Sequence, residues 1–548
     1  MNGKIVFEIV AASIAVMILA SGVAVGVNTV YTAADGSESQ VSLPPPAIYV
    51  PDDYSTIQAA VTAASPGDTI IVRDGTYNET VKVDKRLTLR SENGSDKTIV
   101  QAANSVDHIF KVTADHVNIS GFTVRGASDD TGIYIYCANN CIISNNTCSN
   151  NEYGIKLDGS TNNSISGNTV CNNDRDGIWL WDSSNNIIRG NNASNNNWDG
   201  IDLKDSSNNF ISSNTVSNKD HGIYLKDSRN NTVEGNTVSN NSVYGIFLDD
   251  SSNNSISSNA FVNDGLLVGV SYQNTVESNT VNGKPLVYLE DVSDYKVEDA
   301  GQVILINCNN ITVENRDLSN TNVGIELWKT ENSKISNNTV CNNWIGIILD
   351  FSSNNIITGN NASNNNWSSI CLDFSSNNTI SSNTVCNNSR RGIDLRDSSN
   401  NSISGNSISN NNEAGILLGD SNNNIITGNN ASNNNNHGIY LRYSSNNNKI
   451  TGNNVSNNKY GGICLDFSSN NTITGNNASN NNKNGIYLGY FCNNRVIYLR
   501  YSSNNNTITG NNVSNNKYGG ICLDFSSNNT ITGNNASNNN KNGIYLGY

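Results

Sequence analysis

The stretch GIYLRYSSNNNKITGNNVSNN, residues 438–458, decides how this chain folds. It contains three short apolar pieces, of the forms I-x-L, x-I-x and x-V-x, separated by Asn, Ser and Gly, which are turn-forming residues. Pieces this short cannot build a core within one flat sheet. If the chain winds as a coil, however, the apolar positions of successive coils stack into one interior and the x positions face outward.

The same pattern returns along most of the chain. Its consensus is G-I-x-L-x-D-S-S-N-N-x-I-x-G-N-x-V/A-S-N-N, with a period of 22 to 24 residues within each block. A fixed period of this length is the signature of a solenoid. We therefore predict an all-β fold, a right-handed parallel β-helix, because parallel crossovers are right-handed. The Gly-Ile dipeptide begins at Gly132, Gly154, Gly177, Gly200, Gly222, Gly245, Gly324, Gly346, Gly392, Gly415, Gly438, Gly462, Gly485, Gly520 and Gly543.

The many Asn residues fit this fold. Asn tolerates left-handed backbone angles and bonds to neighbouring backbone groups, so it suits turns. In stacked coils each Asn lies about 4.8 Å from another Asn, and their amides can form ladders. We interpret the Asn columns as scaffold. Sequons such as Asn78, Asn192 and Asn361 indicate a glycoprotein only weakly, because the repeat itself generates them.

Charge and the N-terminus narrow the class of protein. The 548 residues carry a net charge of −15, which argues against nucleic acid and anionic membranes as partners. An apolar run at 9–27 predicts a signal peptide or an N-terminal membrane anchor within residues 1–34. Residues 35–46 form a polar, proline-containing linker. We therefore expect an extracellular protein, either secreted or anchored at the cell surface by a transmembrane helix.

The remaining boundaries follow from the repeat. Residues 47–128 contain STIQAAVTAASPGDTI, which predicts a short amphipathic helix that caps the first coils. Near the C-terminus, 439–490 recurs as 497–548 with one difference, so we predict a break in register at the join and a self-associating, uncapped C-terminal edge. The other segments are regular repeats at 129–260, irregular coils with a loop at 261–320, regular repeats at 321–490 and duplicated repeats at 491–548.

Two segments carry a family resemblance. IYVPDDYSTIQAAVTAASPGDTIIVRDGTYNETVKV, residues 48–83, resembles the start of secreted pectin-lyase-like β-helix proteins. Together with the repeats and NGKPLVYLEDV…AGQVILINCNNITV, 282–313, the chain resembles the NosD-like surface proteins of methanogenic archaea of the Methanosarcina kind. That group's repeat is also described as a carbohydrate-binding and sugar-hydrolysis domain. The resemblance covers about residues 48–548 and implies the fold more strongly than an activity.

The name NosD also implies copper, which these residues do not favour. Copper sites are built from Met and Cys clusters or from His. The two Met are the first residue and Met17 of the N-terminal apolar run, and the four His, which we interpret as surface residues, are far apart in sequence. We expect no cofactor. Asp182, Asp205, Asp227 and Asp250 form one column and are weak candidates for Ca²⁺, but each precedes Ser-Ser or a similar turn, which favours turn capping by Asp.

Eleven Cys residues are scattered without a C-x-x-C pair. Cys148 and Cys171 lie one coil apart, and Cys137 and Cys141 are close in sequence, so either pair could form a disulfide. Most of the Cys replace Val, Ser or Tyr in the repeat. This pattern favours packed thiols over a disulfide framework.

The two outward x positions of G-I-x-L-x form the candidate functional face. This face mixes aromatic, acidic and basic residues, and sugars bind by stacking on aromatic rings. We expect non-catalytic binding of polysaccharide or cell-envelope proteins. A polysaccharide lyase, hydrolase or epimerase, and a purely structural self-associating protein, remain as alternatives. No catalytic residue is assigned; the candidate contacts are Trp179, Trp181, Lys204, Tyr224, Lys226, Phe247 and Trp328.

Overall fold

The computed structural model describes residues 47–489 and 503–547. Within them the chain winds into coils, and neighbouring coils pair through parallel strands, as the repeat predicts. The coils form two blocks of three sheets each. The predicted signal or anchor and the linker that follows it lie outside the described residues. Among the described residues, no helix is both long enough and apolar enough to cross a membrane.

The N-terminal block contains sheets 1, 2 and 3, which hold the first, second and third strand of each coil. Sheet 1 contains Val81–Val83, Phe110–Val112, Thr131–Tyr136, Tyr153–Asp158, Ile178–Trp181, Ile201–Lys204, Ile223–Lys226, Ile246–Asp249 and Leu266–Gly269. Sheet 2 contains Ile48–Val50, Thr69–Val72, Thr88–Ser91, Asn118–Ser120, Ile142–Ser144, Ser164–Ser166, Ile187–Arg189, Phe210–Ser212, Thr232–Glu234, Ser255–Ser257 and Thr275–Glu277. Sheet 3 contains Gly75–Asn78, Thr98–Gln101, Thr123–Arg125, Thr147–Ser149, Thr169–Cys171, Asn192–Ser194, Thr215–Ser217, Thr237–Ser239, Ala260–Val262 and Thr280–Val281.

The C-terminal block contains sheets 4, 5 and 6 in the same order. Sheet 4 contains Lys284–Glu290, Gln302–Ile306, Val323–Trp328, Ile345–Asp350, Ile370–Asp373, Ile393–Arg396, Ile416–Gly419, Ile439–Arg442, Ile463–Leu465, Ile486–Leu488, Ile521–Leu523 and Ile544–Leu546. Sheet 5 contains Ser293–Lys296, Asn309–Glu314, Lys334–Ser336, Ile356–Thr358, Thr379–Ser381, Ser402–Ser404, Ile425–Thr427, Lys449–Thr451, Thr472–Thr474, Thr507–Thr509 and Thr530–Thr532. Sheet 6 contains Thr384–Cys386, Ser407–Ser409, Asn430–Ser432, Asn454–Ser456, Asn477–Ser479, Asn512–Ser514 and Asn535–Ser537.

Side chains alternate between the core and the surface as the consensus predicts. In the strand Ile178–Trp181, Ile178 and Leu180 are fully buried, whereas Trp179 and Trp181 face outward. The next coil pairs in register, with Ile178 opposite Ile201. Each coil therefore adds a layer of Ile and Leu to one continuous interior, and this burial drives the stacking.

Buried Asn ladders close the corners of the coils. Asn191, for example, is buried; its backbone N–H donates to Oδ1 of Asn214 at 2.9 Å, and its Nδ2 donates to the carbonyl of Ile165 at 2.9 Å. A second set of Asn, including Asn185 at φ 59° and Asn195 at φ 57°, adopts the left-handed conformation at turns. The predicted ladders are therefore confirmed. Each amide also satisfies backbone groups that the corner leaves without a strand partner.

One short helix, Ile57–Ala63, is present among the described residues. Thr56 caps its N-terminus by accepting a hydrogen bond from the N–H of Ala59, and the predicted apolar face is buried at Ile57, Ala60 and Val61. The helix packs beside the first coils, where its Gln58 side chain accepts a hydrogen bond from the N–H of Lys82 at 2.7 Å. Its role as a cap that blocks further strand pairing stays a prediction.

Residues 261–320, for which we predicted irregular coils with a loop, contain the junction between the two blocks. Val281 pairs with Lys284 in the one antiparallel contact between strands of the described chain, and sheet 4 begins there. The strand Gln302–Ile306 is buried on both faces. Val303 and Leu305 pack into the C-terminal core, whereas Ile304 and Ile306 pack into the N-terminal core. The first strands of sheet 4 thus cover the end of the N-terminal core.

The duplicated C-terminal segment stacks without a change of register. Ile486 pairs with Ile521, and Thr472 pairs with Thr507, although 35 residues separate the members of each pair. The predicted break in register is therefore wrong for the described strands; the join itself lies outside the described residues. Ile544 and Leu546 of the last described strand are exposed. Self-association at this edge stays a prediction.

The cysteines of the described chain are free thiols. Cys148 is fully buried and points into the core, whereas Cys171, in the next coil, is only half-buried and lies opposite Ser149 rather than Cys148. Neither this pair nor Cys137 with Cys141 forms a disulfide. Successive residues of a strand point to opposite faces, so an offset of one residue separates the two sulfur atoms.

Candidate functional site

The outward surface of sheet 1 carries most of the predicted contact residues. We call it the Gly-Ile face: the outward side chains from Tyr153–Asp158 to Ile246–Asp249, together with the residue that precedes each Gly of the repeat. Trp179, Asp202, Tyr224 and Phe247 occupy one column of this face. Trp181, Lys204, Lys226 and Asp249 occupy the next column. Six of the seven predicted contact residues therefore lie on one surface.

A group of aromatic rings lies at one end of this face. The rings of Trp179 and Trp181 are parallel within 3°, with centroids 5.9 Å apart, and Tyr153 stacks on Trp179 at 4.9 Å. Trp181 is 41% exposed. The Lys156 ammonium lies 4.2 Å from the ring centroid of Trp179. Burial lowers the pKa of this lysine, and the negative charge of Asp158 only partly offsets that effect. The group thus places the exposed ring of Trp181 beside stacked aromatic rings and a cation.

A second aromatic group lies two coils further along the face. Tyr224 stacks on Phe247, with centroids 5.1 Å apart and planes within 6°, and Tyr244 stacks on His221 at 5.5 Å. The Tyr224 hydroxyl donates to Oδ2 of Asp249 at 2.9 Å. Burial, followed by this hydrogen bond, raises the pKa of Tyr224, so the hydroxyl keeps its proton and remains a donor.

Three carboxyl groups lie between the two aromatic groups. One oxygen from each of Asp176, Asp199 and Asp202 lies within 4.8 Å of the other two. The backbone N–H of Asp199 donates to Oδ1 of Asp176 at 3.0 Å, and Oδ1 of Asp199 accepts hydrogen bonds from the backbone N–H and Nδ1 of His221 at 2.9 Å each. Oδ1 of Asp202 is buried and has no hydrogen-bond partner among the described residues. We call these three residues with His221 the acidic cluster.

The acidic cluster holds protons that isolated carboxyl groups would lose. Burial, followed by repulsion from Asp199, raises the pKa of Asp176 to about 8. Burial likewise raises the pKa of Asp202 well above its usual range, and repulsion from Asp176 adds to the effect. Burial opposes the charging of His221, but its hydrogen bond to Asp199 and the nearby negative charges of Asp199, Asp220 and Asp176 together outweigh burial and raise the pKa of the imidazole. A neutral carboxylic acid beside a hydrogen-bonded carboxylate can exchange protons with a ligand.

Sequence reasoning did not assign the acidic cluster. Asp176, Asp199 and His221 all occupy the position before Gly, which no consensus letter describes. The sequence did contain one indication of the cluster: acidic residues occupy this position in two consecutive coils. The four His were also interpreted as surface residues, which is wrong for His221 and His437: His437 is 3% exposed and the His221 side chain 14%. Both pack against Tyr rings in the turn before Gly.

Trp328 does not belong to the Gly-Ile face. It lies at the junction of the two blocks and is only 4% exposed, so its predicted exposure is wrong. Tyr272 stacks on it at 6.2 Å, and the Lys329 ammonium lies 4.2 Å from its ring centroid. The cause is the junction itself, because the last coils of the N-terminal block cover the outward side of the first strands of sheet 4.

The four aspartates considered for Ca²⁺ occupy turns. Asp182, Asp205, Asp227 and Asp250 all have left-handed φ angles, of 46–50°. The adjacent Ser residues make the turn's hydrogen bonds: Oγ of Ser183, for example, donates to the carbonyl of Trp181 at 2.8 Å. Within the described residues, none of the four aspartates belongs to a group of three potential metal ligands. The turn position is thus as expected, but Ser rather than Asp supplies the capping bond.

Two family models match separate parts of the chain. Residues 100–261 match a model described as right handed beta helix region. Residues 285–436, 410–498 and 490–548 match a model described as periplasmic copper-binding protein (NosD). A cell surface glycoprotein of Methanothermus fervidus is 37% identical over 99 residues, which cover 18% of this chain and 16% of that protein. This chain therefore spans only a small part of that relative's length.

Solved structures resemble the chain in fold alone. A GH87 alpha-1,3-glucanase catalytic domain in complex with nigerose is 14% identical, with a TM-score of 0.36, and the match covers 69% of this chain and 66% of that one. DFA-IIIase from Arthrobacter chlorophenolicus A6 is 14% identical, with a TM-score of 0.35 and coverages of 59% and 87%. Pectate lyase Pel9A is 16% identical, with a TM-score of 0.28 and coverages of 43% and 80%.

Copper does not fit the donor atoms that the structure brings together. Among the described residues, the groups of three potential ligands are the three carboxyl groups of the acidic cluster and the set Asp199, Asp220 and His221. Oxygen-rich groups of this kind suit hard cations, whereas copper prefers thiolate, thioether or several imidazole ligands. No cofactor is therefore assigned. The two family matches and the stacked parallel sheets identify the chain as a right-handed parallel β-helix protein that is similar to the NosD family over residues 285–548.

Proposed function

We propose that the Gly-Ile face of the N-terminal block binds an extended polysaccharide. The observation that carries this proposal is the parallel pair Trp179 and Trp181, whose rings form an outward apolar surface with Trp181 41% exposed. Sugar rings present apolar C–H faces that stack on such surfaces, while nearby polar groups bond their hydroxyls. Lys204 and Lys226 continue the column that begins at Trp181 and supply hydrogen-bond donors.

The geometry suits a polymer better than a single sugar. The aromatic groups at Tyr153 and Phe247 lie four coils apart, which corresponds to about 19 Å at a step of about 4.8 Å per coil. Several consecutive sugar residues could contact both groups. Multiple weak contacts along one chain reinforce each other once the first contact has formed. The surface glycoprotein relative is consistent with a role in the cell envelope.

Replacing both Trp179 and Trp181 with alanine is expected to weaken polysaccharide binding at least tenfold, about 1.4 kcal/mol. The stacking surface is lost, while the buried Ile178 and Leu180 that hold the strand remain. The full chain would be incubated with insoluble polysaccharides, and the fraction retained would be measured in a pull-down. Tyr295→Ala, which removes an aromatic ring 45% exposed on sheet 5, is the matched control. Equal retention of both variants would reject this face as the binding site.

Hydrolysis of a glycosidic bond is a second candidate function, favoured by the position of Asp202 in the aromatic column together with its raised pKa. Asp202 lies between Trp179 and Tyr224 in one column, so a sugar chain bound along the rings would cross it. Its proton would pass to the glycosidic oxygen as the C1–O bond breaks. The Asp199 carboxylate would bond to C1, and water would then release the sugar and restore both groups. The short carboxyl separation is nearer to that of retaining than of inverting enzymes.

Asp202→Asn is expected to reduce the release of reducing ends at least 100-fold, about 2.7 kcal/mol in the barrier, because the amide has no acidic proton. Binding in the pull-down should persist. Product release by the wild-type chain should fall as the pH rises through the pKa of Asp202, since the acid must be protonated. Asp182→Asn is the control, because Asp182 lies in the turn after the strand Ile178–Trp181 and outside the acidic cluster. Absence of product from the wild-type chain would eliminate this second function and leave the binding proposal intact.

A further inference from the structure

Exposed aromatic residues form a row along one corner of the C-terminal block, which we call the aromatic corner. The row follows the ends of the sheet 4 strands, at the consensus position that Asp occupies in most coils of the N-terminal block. About half of each side chain is exposed, from 49% to 55%. Its members are Phe351, Phe374, Tyr443 and Phe525.

These rings sit where the backbone disfavours them. Phe351 and Phe374 have φ of 48°, Tyr443 of 52° and Phe525 of 50°. The corresponding Asp182 and Asp205 of the N-terminal block have φ of 46° and 50°. Asp tolerates this left-handed conformation, whereas a bulky side chain there is an outlier. Such outliers concentrate at functional sites, because selection for stability alone removes them.

Burial does not compensate for the disfavoured conformation. Phe351 and Phe374 stack on each other with centroids 5.0 Å apart and planes within 7°, yet both rings remain half exposed. Asp at the same position would avoid the backbone strain and the exposure of apolar surface. A stabilising role therefore does not explain why aromatic residues replace Asp in five coils, in which the less exposed Phe467 takes the same left-handed position.

A groove opens beside this row. It has a volume of about 680 Å³, within the range of ligand sites, and its lining includes Tyr443, Phe467, Asp420, Ser444 and Asn446. The groove is thus lined by two aromatic rings together with a carboxyl group, a hydroxyl and an amide. This mixture offers stacking surfaces together with donors and acceptors for hydroxyl groups.

We propose that the aromatic corner is a second binding surface for polysaccharide, which takes a neutral glycan chain. A polymer is indicated because the aromatic position recurs along the axis of the coils, from Phe351 to Phe525. A neutral polymer is indicated because Asp397 and Asp420 interrupt the row and the chain carries a net charge of −15. An acidic polymer would be repelled. This surface lies on the other block from Trp179 and Trp181, so the proposal does not depend on the Gly-Ile face.

A second copy of this chain is a less suitable occupant. A contact between protein surfaces would take Asp397 and Asp420 out of water, and removing carboxylates from water is costly even where a cation such as Arg442 lies near Asp420. A glycan chain leaves such groups hydrated or bonds them through its hydroxyls. The same glycan bound on both blocks would allow one protein to link two polysaccharide chains or to hold one chain at two places.

The test replaces the aromatic residues of the corner with Asp, the residue that the N-terminal block has at the same position of the repeat. The full chain carrying Phe351→Asp, Phe374→Asp and Tyr443→Asp would be compared with the wild-type chain by affinity electrophoresis in hydroxyethylcellulose, dextran and polygalacturonate. The triple variant should be at least as stable to urea, because Asp suits the left-handed turn. We expect a neutral glucan to retard the wild-type chain, with binding at least tenfold weaker in the triple variant. Tyr295→Asp serves as the matched control.

Three results would overturn the proposal. The triple variant could be retarded as strongly as the wild-type chain, or the wild-type chain could be retarded by neither neutral glucan. The third result concerns sedimentation: the wild-type chain could form dimers while the triple variant stays monomeric. That result would make the aromatic corner a contact between copies of the chain. Combining the triple variant with Trp179→Ala and Trp181→Ala separates the two surfaces: a further loss of neutral-glucan binding beyond that of the Trp substitutions supports the aromatic corner.

Discussion

Replacing Asn214 with alanine is expected to lower the free energy of unfolding by about 3–6 kcal/mol. Oδ1 of Asn214 accepts hydrogen bonds from the backbone N–H of Asn191 at 2.9 Å and from its Nδ2 at 3.0 Å. The Nδ2 of Asn214 donates to the carbonyl of Ile188 at 2.9 Å. All of these groups are buried, so water cannot replace the lost partner.

The measurement is urea unfolding followed by circular dichroism. Asn197→Ala is the matched control, because Asn197 is exposed, lies in the same region and occupies no ladder. We expect a large decrease in the urea midpoint for Asn214→Ala and little change for Asn197→Ala. Similar midpoints for the two variants would show that the ladders contribute no net stability. Hydrogen exchange at the Asn191 amide should also accelerate, because coils contact only their neighbours and open locally.

Gly200→Ala is expected to destabilise the fold by about 3–5 kcal/mol. A Cβ at Gly200 would collide with Cγ1 of Val216 and Nδ2 of Asn218 and would lie 2.7 Å from the carbonyl oxygen of Gly222. The first contact forces the core to repack, and the second displaces a member of the Asn ladder. In the Gly-Ile pairs other than that of Gly543, the Gly is therefore required because a Cβ has no space, rather than by its backbone angle.

Gly177→Ala provides the matched comparison. The facing residue there is Ala193, whose Cβ would lie 3.4 Å from the new methyl group, so the collision with the third strand is absent. We expect Gly177→Ala to lower the urea midpoint by less than Gly200→Ala, although the contacts with Asn196 and Gly200 remain. Adding Val216→Ala to Gly200→Ala should recover part of the lost stability. No recovery would show that the clash with Val216 is not the cause.

Much of the fold could be predicted from single coils. The alternation of Ile178 and Leu180 with Trp179 and Trp181 specifies which side chains enter the core. The repeat length specifies how the coils stack, and both predictions are confirmed. The junction could not be predicted, because nothing local in the strand Gln302–Ile306 shows that its second face also meets a core. That face is buried by a block whose position depends on the whole chain.

The candidate site was only partly predictable for the same reason. The column containing Trp179, Tyr224 and Phe247 follows from the period of the repeat. The exposure of Trp328 was predicted wrongly, because the repeat describes its strand but not the coils that cover it. The left-handed aromatic residues left a signal in the sequence, namely Phe or Tyr at a position that is otherwise Asp. Their strain became visible only with the backbone angles.

By itself, the sequence determined the coil: a fixed period of apolar positions stacks in one way, since any other winding exposes them to water. Only the tertiary structure decided which polar groups meet. Asp176, Asp199 and Asp202 come from two coils, and their mutual distances depend on the turn before each Gly as well as on the strand register. Burial between those coils then raises the pKa of Asp176 and Asp202. Desolvation is a property of the packed environment, which no single repeat contains.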